Sequence, residues 1–147
     1  MERLLSNIED SYKWAKETVA ALKAGDFAAV DMEALIDEIQ SLYIHVELEA
    51  ASALRDILEA LLAKQFDACT EQTDGQLIRA QVRLRSLLDS HPTFHLTRTM
   101  VNAAYREARK WVFDDCRIEL PDRCPFRMEQ ILEDPIARLV AEGRLAK

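Results

Sequence analysis

Met32-Glu-Ala-Leu35-Ile36-Asp-Glu-Ile39-Gln-Ser-Leu42-Tyr43-Ile-His-Val46-Glu-Leu-Glu-Ala50-Ala-Ser-Ala-Leu54-Arg-Asp-Ile57-Leu58-Glu-Ala-Leu61-Leu62-Ala-Lys-Gln-Phe66 decides the fold. The stretch holds neither Gly nor Pro, so nothing in it stops a helix. A strict heptad through Leu35, Ile39, Leu42 and Val46 fails, because its continuation lands on Glu49 and Asp56. An 11-residue spacing works: Leu35, Val46, Ile57, and Ile39, Ala50, Leu61. That spacing is about 3.67 residues per turn, so the apolar stripe runs almost straight down one side of the helix. Ala50, Ala51, Ser52 and Ala53 form a small centre that a neighbouring helix could approach closely.

The length of this helix is informative. At about 1.5 Å per residue it would span roughly 50 Å. A compact globule of this chain length is only about 38 Å across. The helix therefore either breaks near its centre or overhangs its own domain and packs on something else. A second copy of the chain is the simplest such partner.

Helical periodicity continues outward from this rod. Upstream, Ser6-Asn7-Ile8-Glu9 fits a capping box. Ile8, Tyr12, Ala15, Val19 and Leu22 then fall on one face. Gly25 stands at a C-terminal cap position, and Phe27 is expected to fold back on the helix end. Asp31 is the expected N-cap of the rod, with Glu33 in its first turn. Downstream, residues 67–75 are polar and read as a turn. A third helix is expected from about Gln76 to Asp89, a break at Ser90-His91-Pro92, and a fourth helix from about Thr93 to Phe113. Residues 114–126 hold Pro121 and Pro125 and read as an ordered loop, with Phe126 its anchor. A short helix around Ile131, a restart at Asp134-Pro135 and a last amphipathic turn complete the chain. The expected fold is all-α: one domain over residues 1–147, built as a bundle of four main helices with a long second helix, then the Pro/Cys loop and short C-terminal helices. The tail from 141 is expected to fray.

Composition agrees with this. Of 147 residues only 3 are Gly and 4 Pro, too few turn residues for a β-rich fold, while 49% are hydrophobic, enough to form a core. No stretch free of Asp, Glu, Lys and Arg exceeds eight residues, whereas a membrane span needs about 20. With no signal-like apolar run at the start, a soluble cytoplasmic protein is expected. Cys69, Cys116 and Cys124 show no CxxC spacing and are expected as free thiols, although Cys116 and Cys124 could approach each other.

The net charge of −7 conceals an asymmetry. Residues 1–75 carry 6 Lys/Arg and 16 Asp/Glu, net −10; residues 76–147 carry 13 and 10, net +3. The rod is acidic and the later helices are arginine-rich. Arg79 and Arg83 share a helix face, as do Arg106 and Lys110. These basic helices are expected to lie beside acidic ones, within the chain or across a dimer. Nucleic acid is a poor partner for so acidic a chain.

Catalytic and cofactor motifs are missing. The glycines, Gly25, Gly75 and Gly143, are too far apart for a phosphate loop, a dinucleotide fingerprint or a G-x-S-x-G elbow. Neither H-E-x-x-H nor Glu-x-x-His occurs. His91 and His95 flank Pro92 at a helix start, and Glu49 is placed to pair with His45 on one helix face. No cofactor or metal is implied.

Several segments resemble a known family. Leu22-x-x-Gly25-x-Phe27-x-x-Val30-Asp31-x-x-x-Leu35-Ile36-Asp37-Glu38-Ile39-x-x-Leu42 resembles the opening of the bacterial domain-of-unknown-function 29 family, common in cyanobacteria, with Trp14 where that family places a tryptophan. Leu87-Leu88-Asp89-Ser90-His91-Pro92, Ala104-Tyr105-x-x-Ala108-Arg109, and Leu120-Pro121-Asp122-Arg123-Cys124-Pro125-Phe126 are similar to its later segments. The resemblance covers about residues 8 to 135 and implies an α-helical bundle with a long second helix. It brings no activity, substrate or cofactor. Cys124, Pro125 and Phe126 then read as a structural loop anchor, the alternative being a reactive thiol near Arg123 and Arg127.

The functional expectation is a non-enzymatic protein–protein interaction module, homodimeric and binding a further protein, with Arg79, Arg83, Arg106, Lys110, Asp37 and Glu38 as candidate surface residues. The alternatives are a ligand-binding or enzymatic bundle using interhelical carboxylates such as Asp37 or Glu38, and a nucleic-acid regulator using Arg79, Arg83 and Arg106.

Overall fold

A computed structural model describes residues 10–66 and 73–144. Among the described residues six α-helices follow one another: α1 (Ser11–Lys23), α2 (Met32–Gln65), α3 (Thr73–Ser90), α4 (Arg98–Cys116), α5 (Met128–Ile131) and α6 (Pro135–Ala141). A 3-10 turn (Phe27–Ala29) precedes α2. No strand occurs among the described residues, and the class is all-α with a long second helix, as the periodicity predicts. The capping box at Ser6 lies outside the described residues.

The chain divides by its contacts into two compact units, one ending at His45 and one beginning at Val46. The boundary falls inside α2, which is one continuous 34-residue helix.

In the first unit, α1 ends in a Schellman motif. Gly25 takes φ +72, its N–H donates to the Leu22 carbonyl at 3.1 Å, and the Asp26 N–H donates to Ala21 at 2.9 Å. Only glycine reaches that φ without strain. Phe27 opens a 3-10 turn that lies against α1, with its own side chain 62% exposed. Asp31 caps α2, its Oδ1 accepting from the Ala34 N–H at 3.2 Å. Val30 and Thr18 are the buried side chains among the described residues of this unit.

The second unit has a continuous core. α2 contributes Ala50, Ala53, Leu54, Ile57, Leu58 and Leu62; α3 contributes Leu77, Leu84 and Leu87; α4 contributes Val101, Tyr105, Ala108 and Val112. Phe126 and Ile131 close it from the C-terminal segment.

Helix ends follow local capping chemistry. α4 starts at Arg98, later than the sequence pattern suggests, because the Thr97 side chain accepts from the Met100 N–H at 3.2 Å. It runs on to Cys116 and stops where Arg117 turns left-handed, φ 54. α3 starts at Thr73, so Gly75 belongs to its first turn rather than to a loop. Asp134 caps α6, accepting from Ile136 at 3.0 Å, with Pro135 in the first turn as expected.

Cys124 is a free thiol, but Cys116 is disulfide-bonded. The expectation of free thiols throughout is corrected, and so is a pairing of Cys116 with Cys124. That expectation rested on compartment and on the lack of CxxC, neither of which reports what the fold brings together. Disulfides persist in oxidising surroundings and are rare in a reducing one, the compartment on which the free-thiol expectation stood. Cys69 lies outside the described residues.

Candidate interaction surface

The apolar stripe of α2 changes character along its length. Within the second unit, Ala50, Leu54, Ile57 and Leu58 are fully buried. Within the first unit the same stripe is mostly open: Leu35 is half-buried, but Met32 is 45% exposed, Ile36 49%, Ile39 54%, Leu42 70% and Tyr43 52%. At 100° per residue these five fall on one arc roughly 120° wide. Of fifteen exposed large apolar side chains among the described residues, ten lie before Val46. An exposed set of this kind marks an interaction surface more often than an ordinary solvated face.

Carboxylates border the open stripe. From Ala24 to Leu54 the chain has no Lys or Arg but contains Asp26, Asp31, Glu33, Asp37, Glu38, Glu47 and Glu49. Asp37 and Glu38 are both exposed. The Glu38 backbone carbonyl accepts from the Ser41 hydroxyl at 2.6 Å.

A groove of about 590 Å³ runs along the outer side of α3, lined by Ile78, Arg79, Val82, Arg83, Ser86 and His91, with Glu49 of α2 at its edge. Spacings of three and four place these α3 side chains on one face. Val82 is 45% exposed. Arg83 is committed to Asp56 at 2.8 Å. Arg79 has no ion-pair partner among the described residues, and its guanidinium lies over Gly75, where an added Cβ would sit 3.5 Å away.

The candidate arginines do not form one patch. Arg106 lines a separate cleft of about 460 Å³ with Arg98, Asn102, Tyr105, Arg123 and Cys124. Lys110 is exposed one turn further along α4.

The Pro/Cys loop is held by side chains of α4. Arg98 donates to the Phe126 carbonyl at 3.0 Å and to Cys124 at 3.3 Å. Arg109 donates to Leu120 at 3.3 Å and to Asp122 at 3.0 Å. The Tyr105 hydroxyl donates to the Pro121 carbonyl. Burial, and then the neighbouring Cys124, push the Tyr105 phenol up, which keeps it in the donating form. Phe126 is buried, Cys124 half-buried and Pro125 exposed, so Phe126 supplies the anchoring contact. The Cys124 thiol points to the Phe126 carbonyl at 3.8 Å.

Two polar groups lie outside the candidate surface residues. Among the described residues Glu59 is the carboxylate whose pKa is raised, by burial first and by Asp56 next, although Arg55 at 3.8 Å draws it down. Arg55 also reaches Glu107 at 3.9 Å, so Glu59 belongs to an ion network joining α2 to α4. Gln81 is 3% exposed, and neither amide atom has a partner among the described residues. The signal for Gln81 was present: it falls between Leu77 and Leu84 on the apolar face of α3.

Among the described residues no group of His, Cys, Asp or Glu could hold a metal ion. No helix among them is long and apolar enough to cross a membrane. No curated protein and no solved structure matches the chain. One family model, Domain of unknown function DUF29, matches residues 8–136. With nearly the whole chain covered, from the Gly25 turn to the Phe126 anchor, the protein belongs to the DUF29 family.

Proposed function

We propose that this protein is a non-catalytic helical interaction module that works as a homodimer and offers a further protein the rest of its helical surface. The observation that carries the reading is the stripe on α2, buried from Ala50 onward and open from Met32 to Tyr43. An apolar strip of that kind gains free energy when a partner removes it from water, at roughly 25 cal/mol per Å². The acidic border keeps the strip soluble and selects partners by charge.

Sedimentation velocity across a concentration series tests this. The wild-type protein is expected as a dimer at tens of micromolar. Leu42→Asp, a change at a 70% exposed position, is expected to leave a folded monomer. A wild-type chain that sediments as a monomer throughout the series would refute the dimer.

A further inference from the structure

We infer that the partner of the open α2 strip is the α3 groove of a second copy of this chain, the two copies exchanging strips reciprocally. The inference rests on the homodimer reading above and adds which surfaces meet.

Two strips facing each other would be the simplest pairing, and charge opposes it. Between Ala24 and Leu54 every charged side chain is a carboxylate, so strip against strip sets Glu38 and Glu47 of one copy against those of the other. Like charges face to face at an interface disfavour that partner. The strip requires an apolar face bordered by positive charge.

The chain carries such a face. The α3 groove combines exposed Val82 and half-buried Ile78 with Arg79 on one helix side, beside Arg83, which is already paired with Asp56. Arg79 has no ion-pair partner among the described residues, so it is available to an incoming carboxylate. Ser86 and His91 extend the polar border, and Glu49 is the acidic member of the lining.

A two-fold dimer makes the contact twice, since each copy supplies one strip and one groove.

A charge exchange read by sedimentation velocity tests the assignment. One variant reverses the groove (Arg79→Glu with Ser86→Glu) and another reverses the strip (Glu38→Lys with Glu47→Lys). Circular dichroism confirms that each keeps its helix content. Each alone is expected to weaken the dimer by about tenfold or more, because strip and groove then carry the same sign. An equimolar mixture is expected to return to dimer, because each strip then meets a groove of opposite sign. A groove variant that dimerises like the wild type would overturn the inference and leave the homodimer reading standing. A mixture no tighter than either variant alone would also overturn it. A monomeric wild type would remove both.

Discussion

The two ends of α2 carry the same kind of apolar side chain and meet opposite fates. From Ala50 onward, α3 and α4 supply a roof, and Leu54, Ile57 and Leu58 are fully buried. From Met32 to Tyr43 the equivalent positions stand about half open. The comparison teaches that an apolar stripe specifies where a helix must be covered but not by what. In the second unit the chain supplies the cover itself. In the first unit, on the present proposal, a twin molecule does.

The largest effect expected separates the two ends directly. Leu54→Ala, in the closed core, should cost about 2–5 kcal/mol in urea unfolding, the lost transfer energy plus a cavity. Leu42→Ala, at the open end, should leave unfolding of the monomer within about 0.5 kcal/mol, as for other exposed sites. Equal costs at both positions would break the comparison.

A second change sharpens it by improving the closed unit. The Gln81 amide is buried with no partner at either atom among the described residues, and such a group costs about 1–3 kcal/mol in lost hydration. Gln81→Leu is therefore expected to raise the urea midpoint, worth about 1–2 kcal/mol. A lowered midpoint would show that the amide is satisfied in solution.

Glu59 gives a smaller, pH-dependent effect. Its pKa is raised on folding, chiefly by burial. The folded chain then holds this proton more tightly than the unfolded chain, so ionised Glu59 opposes folding. The penalty is fully present above the raised folded pKa and vanishes as pH falls below the ordinary value of 4.5. Glu59→Gln should stabilise the protein at pH ~7 and lose that advantage by pH ~4. Thermal unfolding at the two pH values checks it; an advantage that grows on acidification would contradict the sign.

The smallest effect concerns the end of α4. Arg117 holds φ 54 without being glycine, a strain of about 1 kcal/mol. Arg117→Gly should relieve it but adds freedom to the unfolded chain. A net gain of roughly 0.5 kcal/mol is expected in Tm measurements.

Much of this architecture is legible in the sequence. The 11-residue spacing identified α2, and Gly25, Asp31 and Asp134-Pro135 marked helix ends because each carries its own local chemistry. The start of α4 was placed too early because the Thr97 cap competes with the restart after Pro92. Gly75 signals a turn by its residue type, although its place is the first turn of α3. Cys116 could not be read, because a disulfide depends on distance in space. The candidate surface was half legible. Asp37, Glu38, Arg79 and Arg83 stood out by charge, but which part of the stripe stays open is a tertiary fact that periodicity does not contain. The separation of Arg106 and Lys110 from the α3 groove is of the same kind.

Hydrogen exchange of the α2 amides at low and high protein concentration tests the central claim most directly. Amides from Ile36 to Leu48 should gain protection as concentration rises, while those from Leu54 to Leu62 stay equally protected throughout. Protection of the first segment that does not change with concentration would contradict the claim that a second molecule covers it.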